Sequence, residues 1–223
     1  MTAIRYLKEA DTTVLAGFLA AELNELARAR GSILVLLSGG SAIDLAVKLR
    51  QLIDVSAGRW CFSLADERFG PPGHADSNWT QLTSAGFSLE NIDFYAPLNG
   101  DNLDETVRAF NDFLAKADKE YSIRVGLFGM GADGHTAGIL PHSPAVDAPG
   151  LATSYQGPDY QRITVTPSFI AGLDKAYLYA MGENKHQQFD KLETDLPLNG
   201  QPAQILKQVA SLTVINDYKG GSL

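Results

Sequence analysis

The feature that most constrains the fold is a continuous apolar run, Ile-Leu-Val-Leu-Leu at 33–37, which ends at the turn Ser-Gly-Gly-Ser at 38–41. A strand with one covered face alternates apolar and polar residues, whereas a strand inside a parallel sheet is apolar throughout because helices cover both faces. Apolar residues at helical spacing precede the run over 11–30 and follow it from Ile43. The run therefore predicts a central strand of a parallel sheet.

The same alternation of strand and helix continues along the chain. Further strands are predicted at 60–65, 94–95, 124–128, 162–166, 176–181 and 212–215, and helices from 77, over 103–114, near 168, over 183–192 and around 204. This order predicts an α/β fold with one mostly parallel, doubly wound sheet and helices on both faces. We expect residues 1–223 to form a single domain. Segment 141–158, with four prolines and two glycines, is predicted to be a long ordered loop.

Charge and composition argue against several classes of partner. The formal net charge of −8 leaves no basic face for nucleic acid. Cys61 is the single cysteine, so no intramolecular disulfide can form and a reducing compartment fits best. The chain shows no signal peptide and no run of about eighteen apolar residues. We therefore expect a cytoplasmic protein that binds neither nucleic acid nor a membrane.

Four polar segments follow predicted strands, where open parallel sheets place their ligand crevice. In the first, two glycines let a ligand approach the backbone and the helix that follows favours an anion. This predicts a phosphate cradle made by Ser38, Gly39, Gly40 and Ser41. The alternative is a tight turn in which Ser41 caps the helix.

The second segment is Asp66-Glu67-Arg68. Arg68 is a candidate for a bidentate contact with phosphate or carboxylate, and Asp66 for orienting a partner or accepting a proton. A surface ion pair among the three residues is the alternative.

The third segment, Gly-Met-Gly-Ala-Asp-Gly-His at 129–135, matches the G-x-G-x-x-G pattern of dinucleotide-binding proteins. We reject that interpretation, because Pro141 and Pro144 interrupt the helix that the pattern requires. The segment instead offers His135, two residues after Asp133, as a general acid or base. The alternative is a histidine that only bonds a carbonyl group.

The fourth segment ends at Lys185, which is predicted to contact a phosphate from the start of a helix, with a solvated surface lysine as the alternative. The histidines at 74, 135, 142 and 186 lack the spacing of a metal site. We predict no metal ion and no cofactor.

Taken as an ordered set, the motifs carry a resemblance. They are Leu-Ser-Gly-Gly-Ser at 37–41, Ala-Asp-Glu-Arg at 65–68, Asp-Ser-Asn at 76–78, Gly-Met-Gly-Ala-Asp-Gly-His-Thr-Ala at 129–137, Arg-Ile-Thr-Val-Thr at 162–166 and Gly-Glu-Asn-Lys at 182–185. This set resembles the 6-phosphogluconolactonase family from about residue 35 to residue 205. The resemblance implies a hydrolase of a phosphorylated sugar lactone.

Glucosamine-6-phosphate isomerases share that fold and a similar Gly-x-Gly-x-Asp-Gly-His motif, but continue with Asn-Glu-Pro. Here Leu140 stands in place of that Glu, and Arg68 stands where the isomerases usually carry an aromatic residue. Both differences favour the lactonase. The chain also departs from the lactonase pattern, with Gly-Ile-Leu-Pro-His at 138–142 where Ser-Leu-Phe-Pro-Gly is usual.

The resemblance implies that His135, oriented by Asp133 or Asp66, activates water for attack on the lactone. Residues 38–41, Arg68 and Lys185 are expected to hold the phosphate, with Arg162 as a weaker candidate. Two alternatives stay open: an isomerase or deaminase with Asp66 as the carbon base, and a sugar-phosphate-binding protein without catalysis. The sequence makes no prediction of oligomeric state.

Overall fold

Ten strands and six α-helices make up the fold in the computed structural model, which describes residues 4–223. The strands are β1 (Ile4–Lys8), β2 (Ser32–Leu37), β3 (Arg59–Leu64), β4 (Asp66–Arg68), β5 (Asp93–Tyr95), β6 (Ile123–Gly129), β7 (Ala152–Gln156), β8 (Gln161–Val165), β9 (Lys175–Tyr179) and β10 (Leu212–Asn216). The helices are α1 (Thr12–Arg30), α2 (Ile43–Leu52), α3 (Asn78–Ser84), α4 (Leu103–Glu120), α5 (Pro167–Ala171) and α6 (His186–Leu192).

The main sheet contains seven strands in the order β1-β10-β9-β6-β2-β3-β5, and all of its pairs are parallel. Both faces of β2 are covered. Ile33, Val35 and Leu37 pack with α1 and α2, while Leu34 and Leu36 point into a second core that includes α4. The predicted doubly wound α/β class and the predicted central strand are therefore confirmed.

A second, antiparallel sheet was not predicted. It has the order β4-β8-β7. The prediction of a loop over 141–158 is wrong at Ala152–Gln156, which forms β7. Its sequence, Ala-Thr-Ser-Tyr-Gln, has little apolar alternation, and the strand forms through its pairing with β8. The edge strand β1 and the short strand β4 also went unpredicted.

The order of strands places a crevice between β2 and β6. From β2 the chain proceeds to β3 and β5 on one side, and from β6 to β9 and β10 on the other. Ligands of open α/β sheets bind at such a reversal, beyond the carboxyl ends of the strands. Ala65 joins the two sheets there, since its N–H donates to Leu37 and its carbonyl accepts from Val165. The small sheet therefore forms one wall of the crevice.

No helix within residues 4–223 is both long enough and apolar enough to cross a membrane.

Candidate active site

A cleft of about 390 Å³ lies at this reversal. It is lined by Ser38, Gly39, Gly40, Ser41, Asp66, Arg68, Asn78, Gly129, Met130, Gly131, His135, Ala137, Gly138, Arg162 and Lys185. Every predicted site residue except Asp133 is in this set, and Asp133 is hydrogen-bonded to His135. The structure therefore brings the four polar segments together, as predicted from their positions after strands.

His135 and Asp133 form a hydrogen-bonded pair at the rim of the cleft. The distance from His135 Nδ1 to Asp133 Oδ1 is 2.7 Å, and the same oxygen accepts from the His135 backbone N–H at 3.1 Å. The hydrogen bond from His135 lowers the pKa of Asp133, so that this carboxylate stays ionised. A carboxylate at Nδ1 fixes the tautomer in which Nδ1 carries the proton, which leaves Nε2 free to accept one.

The glycines before His135 make a tight turn and not the start of a helix. Gly134 donates to the carbonyl of Gly131, and Gly131 donates to the carbonyl of His135 at 3.0 Å. No helix continues directly from this turn. The rejection of a dinucleotide-binding motif is thus confirmed, and the turn instead holds the histidine over the cleft.

Gly131 has no room for a side chain, which gives a direct test of this geometry. A Cβ at this position would lie 2.2 Å from His135 Nδ1 and 2.6 Å from Asp133 Oδ1. Gly131→Ala is therefore expected to displace the His135–Asp133 pair. The kcat of a reaction that uses His135 as its base should fall by about 10²-fold, since misplacement of a catalytic group by about 1 Å has that effect. Steady-state kinetics and the melting temperature together check this result. Gly17→Ala, where the added methyl meets nothing within 4 Å, is the matched control; equal kinetics in the two variants would contradict the prediction.

Asp66, the first residue of β4, faces the cleft just beyond the carboxyl end of β3 and is buried, with 7% exposure. Its backbone carbonyl accepts from Asn78 Nδ2 at 3.0 Å, and its Oδ2 lies 3.4 Å from the same nitrogen. Burial raises the pKa of Asp66, while Arg68, Arg162 and His135 act in the opposite direction. Asp66 forms no hydrogen bond with His135 in the described structure, so Asp133 is the carboxylate that orients the imidazole.

Three cationic side chains converge on the other side of the cleft. Arg68 on β4 and Arg162 on β8 are directly opposed in the antiparallel pair. Their Nε atoms are buried and have no partner among the described residues. Lys185 is half-buried, and desolvation lowers its pKa against the influence of Asp217. Donors of this kind, desolvated and unpaired, are suited to an anion with several oxygens.

The loop at 38–41 leads into a short 3₁₀ turn (Gly40–Ala42) and then α2, and no side chain caps either element. The alternative in which Ser41 is a capping residue is therefore wrong. Gly40 adopts φ +66°, and a Cβ on Gly39 would overlap Asn78. Gly39, Gly40 and Ser41 line the cleft just before α2, which lets an anion approach their backbone closely.

Comparison with known proteins decides the family. The model for glucosamine-6-phosphate isomerases/6-phosphogluconolactonase matches residues 8–215. The chain belongs to this family. It is 32% identical over 208 residues to the 6-phosphogluconolactonase of Pseudomonas putida, covering 82% of this chain and 81% of the relative. It is 33% identical over 175 residues to a Neisseria meningitidis 6-phosphogluconolactonase, covering 72% and 74% of the two chains.

The solved structures agree on the fold of this family. The crystal structure of 6-phosphogluconolactonase from Thermotoga maritima superposes with a TM-score of 0.83 at 20% identity, covering 97% of this chain and 99% of that one. At such identity the superposition shows the fold. The resemblance stated from the motifs is confirmed at the level of the family.

The small sheet holds residues 137–142, which include the stretch 138–142 where the sequence departs from the lactonase pattern. Tyr155 Oη donates to the Gly138 carbonyl at 2.5 Å and accepts from Leu140 N–H, while Thr164 Oγ1 donates to the Ala137 carbonyl. Gly138 has φ +67°, and a Cβ there would lie 2.7 Å from Asp66 Cβ. A glycine at 138 thus allows Asp66 to approach this segment closely. His142, where the pattern usually has glycine, has φ 60°.

Glu67 is buried and organises the start of α3. Its carboxylate accepts from the backbone N–H groups of Arg68, Asn78 and Trp79 and from Ser77 Oγ, at 2.7 to 3.0 Å. Burial raises the pKa of Glu67, and these four donors oppose that effect. The surface ion pair proposed as the alternative for this segment is wrong, because Glu67 caps a helix and Arg68 faces the cleft. Glu67 thereby fixes Asn78 beside Asp66.

Glu67→Gln should be strongly destabilising although it is nearly isosteric. Each carboxylate oxygen accepts two hydrogen bonds, so the amide group must face donors that it cannot satisfy. We expect the free energy of unfolding to fall by about 2–4 kcal/mol. Urea denaturation of this variant, beside Glu25→Gln on exposed α1 surface, measures the difference. A loss as small as that of the control would show that the cap is dispensable.

A second cleft of similar size, about 380 Å³, runs along β5 and α4. Its four charged side chains are paired with one another: Arg59 with Asp93 at 2.8 Å and Lys116 with Glu120 at 3.6 Å. The first cleft differs because its three cations form no ion pair with any residue of the range 4–223. No group of three or more His, Cys, Asp or Glu side chains in residues 4–223 is arranged to hold a metal ion.

Sequence reasoning missed several residues of the site. Asn78 was noted only as part of the motif Asp-Ser-Asn. Neither Tyr155 nor Tyr160, whose ring centroid lies 5.3 and 5.8 Å from the guanidinium centres of Arg68 and Arg162, was considered. The capping position of Ser77 is a signal that would have placed Asn78 at the start of a helix, beside the strand end at Asp66. The two tyrosines act through pairing of the small sheet, which the sequence did not reveal.

Proposed function

We propose that this chain hydrolyses 6-phospho-D-glucono-1,5-lactone to 6-phosphogluconate, a reaction of the oxidative pentose phosphate pathway. The observation that carries the proposal is the placement of the His135–Asp133 pair on one cleft with three unpaired cations. A base for water and a site for a phosphate are the two elements that hydrolysis of a phosphorylated lactone requires. The names of the relatives support the same activity.

His135 is the proposed general base. The Nδ1–H group of His135 donates a hydrogen bond to the Asp133 carboxylate, and Nε2 accepts a proton from water as the water oxygen attacks C1 of the lactone. The negative charge on the carbonyl oxygen is stabilised by backbone N–H groups of the glycine-rich loop that follows β6. The C1–O bond of the ring then breaks, and the ring oxygen receives a proton. No covalent intermediate with the protein is required.

Asp66 is the second acid–base group in this proposal. Because burial raises its pKa, the carboxyl group is suited to sharing a proton with the ring oxygen as the ring opens. Its position beside Asn78 and Gly138 holds it against the floor of the cleft. Ser38, Gly39, Gly40, Ser41, Arg68, Arg162 and Lys185 bind the phosphate at the other end of the substrate.

A second candidate is isomerisation of glucosamine 6-phosphate with release of ammonia. Asp66 favours it, since a buried carboxylate in the cleft is suited to removing a proton from carbon. Against it, Leu140 occupies the position of the isomerases' Glu and packs against the apolar core. No carboxylate at this position is available to assist ring opening.

The two candidates are separated by offering the protein both substrates. Acid release from freshly generated 6-phosphogluconolactone, above its spontaneous hydrolysis, supports the lactonase. Ammonia release from glucosamine 6-phosphate supports the isomerase and would overturn the proposal. Tight binding of 6-phosphogluconate without turnover of either compound would point to a binding protein.

Residues 1–223 would work in this proposal as one sugar-phosphate-processing domain in the cytoplasm. The buried, unpaired thiol of Cys61 is compatible with a reducing compartment.

A further inference from the structure

The phosphate site contains two like charges in direct opposition. Arg68 and Arg162 are cross-strand partners in the pair β4–β8. Like charges in this relation repel each other and lower the stability of a sheet. Proteins usually relieve such repulsion with a carboxylate, yet neither guanidinium forms an ion pair with a carboxylate in residues 4–223. The buried Asp66 carboxylate is near enough that both positive charges lower its pKa, but it forms an ion pair with neither of them.

The ring of Tyr160 is the group that contacts both. The centre of the Arg68 guanidinium lies 5.3 Å from the ring centroid, and that of Arg162 lies 5.8 Å from it. Both distances fall in the range of cation–π attraction. The electron-rich face of an aromatic ring stabilises a cation without neutralising it or occupying its hydrogen-bond donors.

The turn that carries Tyr160 is shaped around the same two arginines. Residues 157–160 form the tip of the hairpin between β7 and β8, closed by a hydrogen bond from Gly157 N–H to the Tyr160 carbonyl at 2.8 Å. A Cβ at Gly157 would lie 3.0 Å from Arg162 Nε. On the other side, the backbone carbonyl of Asp76 accepts a hydrogen bond from Arg68 Nη1 at 2.8 Å. The Asp76 carboxylate accepts one from Tyr160 Oη at 3.4 Å.

The Nε atoms of both arginines remain without partners although they are buried. Buried N–H groups of charged side chains are normally satisfied, so this arrangement is costly unless a ligand completes it. The Tyr160 ring adds its attraction to that of the Asp66 carboxylate, and it leaves the two Nε donors available to an external anion.

We propose that Tyr160 is a positioning residue of the phosphate site, whose ring holds the Arg68 and Arg162 guanidiniums side by side, charged and open to the substrate's phosphate. The inference rests on the proposed function for the identity of the anion. It extends that proposal by assigning the selection of a phosphorylated substrate in part to a residue outside the cleft lining.

The test measures anion affinity separately from turnover. Dissociation constants for 6-phosphogluconate and for inorganic phosphate are determined by calorimetry on the unmodified chain, Tyr160→Phe and Tyr160→Leu. Tyr160→Leu is expected to weaken both by about tenfold, because two cation–π contacts are lost, whereas Tyr160→Phe keeps the ring and should stay close to the unmodified values. Phe18→Leu, which removes the ring 5.2 Å from Arg5 outside the cleft, is the matched control and should leave both constants unchanged.

A second series of variants tests whether a weaker affinity of Tyr160→Leu comes only from a loosened hairpin. Phenylalanine with increasing numbers of ring fluorines at position 160 keeps the shape of the ring while withdrawing electron density from its face. Affinity for inorganic phosphate should fall stepwise along this series. Equal affinities for the Phe and Leu variants, or no dependence on fluorination, would overturn the inference.

The kinetic readout separates this role from a structural one and from failure of the proposed function. In lactone hydrolysis, Tyr160→Leu should raise KM with little change in kcat, since the phosphate is remote from the reacting carbonyl. A loss confined to kcat would overturn the positioning role. If the unmodified chain fails to hydrolyse the lactone while phosphate affinity still depends on the ring, the proposed function is refuted and the role of Tyr160 stands.

Discussion

His135→Ala is expected to lower kcat for lactone hydrolysis by about 10²–10⁴-fold, the usual contribution of a positioned general base. The side chain is 38% exposed at the rim of the cleft, so its removal leaves no cavity in the core. The melting temperature should therefore change little. Affinity for 6-phosphogluconate should be retained, since the phosphate contacts lie on other residues.

Two further variants refine this result. Asp133→Asn keeps the contact with His135 Nδ1 but removes the charge that stabilises the protonated imidazole, and it should lower kcat by a smaller factor. His186→Ala is the matched control, because His186 forms a similar pair with Asp217 at 3.2 Å but does not line the cleft. Full activity in His135→Ala would remove the histidine from the mechanism.

Arg68→Gln is expected to raise KM for the lactone by about 10–100-fold, with a smaller effect on kcat. A charged hydrogen bond to phosphate is worth about 1.5–3 kcal/mol, and a phosphate distant from the reacting carbon is bound similarly in the ground and transition states. Initial rates over a range of lactone concentrations measure the change. Arg28→Gln, at an exposed ion pair with Asp54, is the control for loss of a positive charge.

The outcome for Arg68 also reports on Arg162. Because the two guanidiniums share one ring and one proposed anion, their replacements should not be additive. Additive effects of Arg68→Gln and Arg162→Gln would indicate two separate anion contacts. An unchanged KM in Arg68→Gln would show that the phosphate lies elsewhere in the cleft.

Much of this site could be predicted because strand ends are visible in the sequence. The apolar run at 33–37 fixes both a central strand and the position of Ser38, and the same logic placed Asp66, His135 and Lys185 at one edge of the sheet. Local spacing also indicated the contact between Asp133 and His135, which are two residues apart. These inferences needed only the rule that parallel strands end together.

The small sheet could not be predicted, and it controls the remaining features of the site. β7 has few apolar residues, so its existence depends on pairing with β8. The register of β8 on β4 is what opposes Arg162 to Arg68 and places Tyr160 against both. Cross-strand register between distant segments is a tertiary property, for which one sequence carries no periodic signal.

The most direct test of lactone hydrolysis is the time course of acid release from freshly generated 6-phosphogluconolactone in weak buffer, with and without the unmodified protein. We expect the initial rate to rise in proportion to protein concentration, well above spontaneous hydrolysis, and to remain unchanged on addition of a metal chelator. A rate that is the same with and without the protein would contradict the assignment of this cleft to lactone hydrolysis.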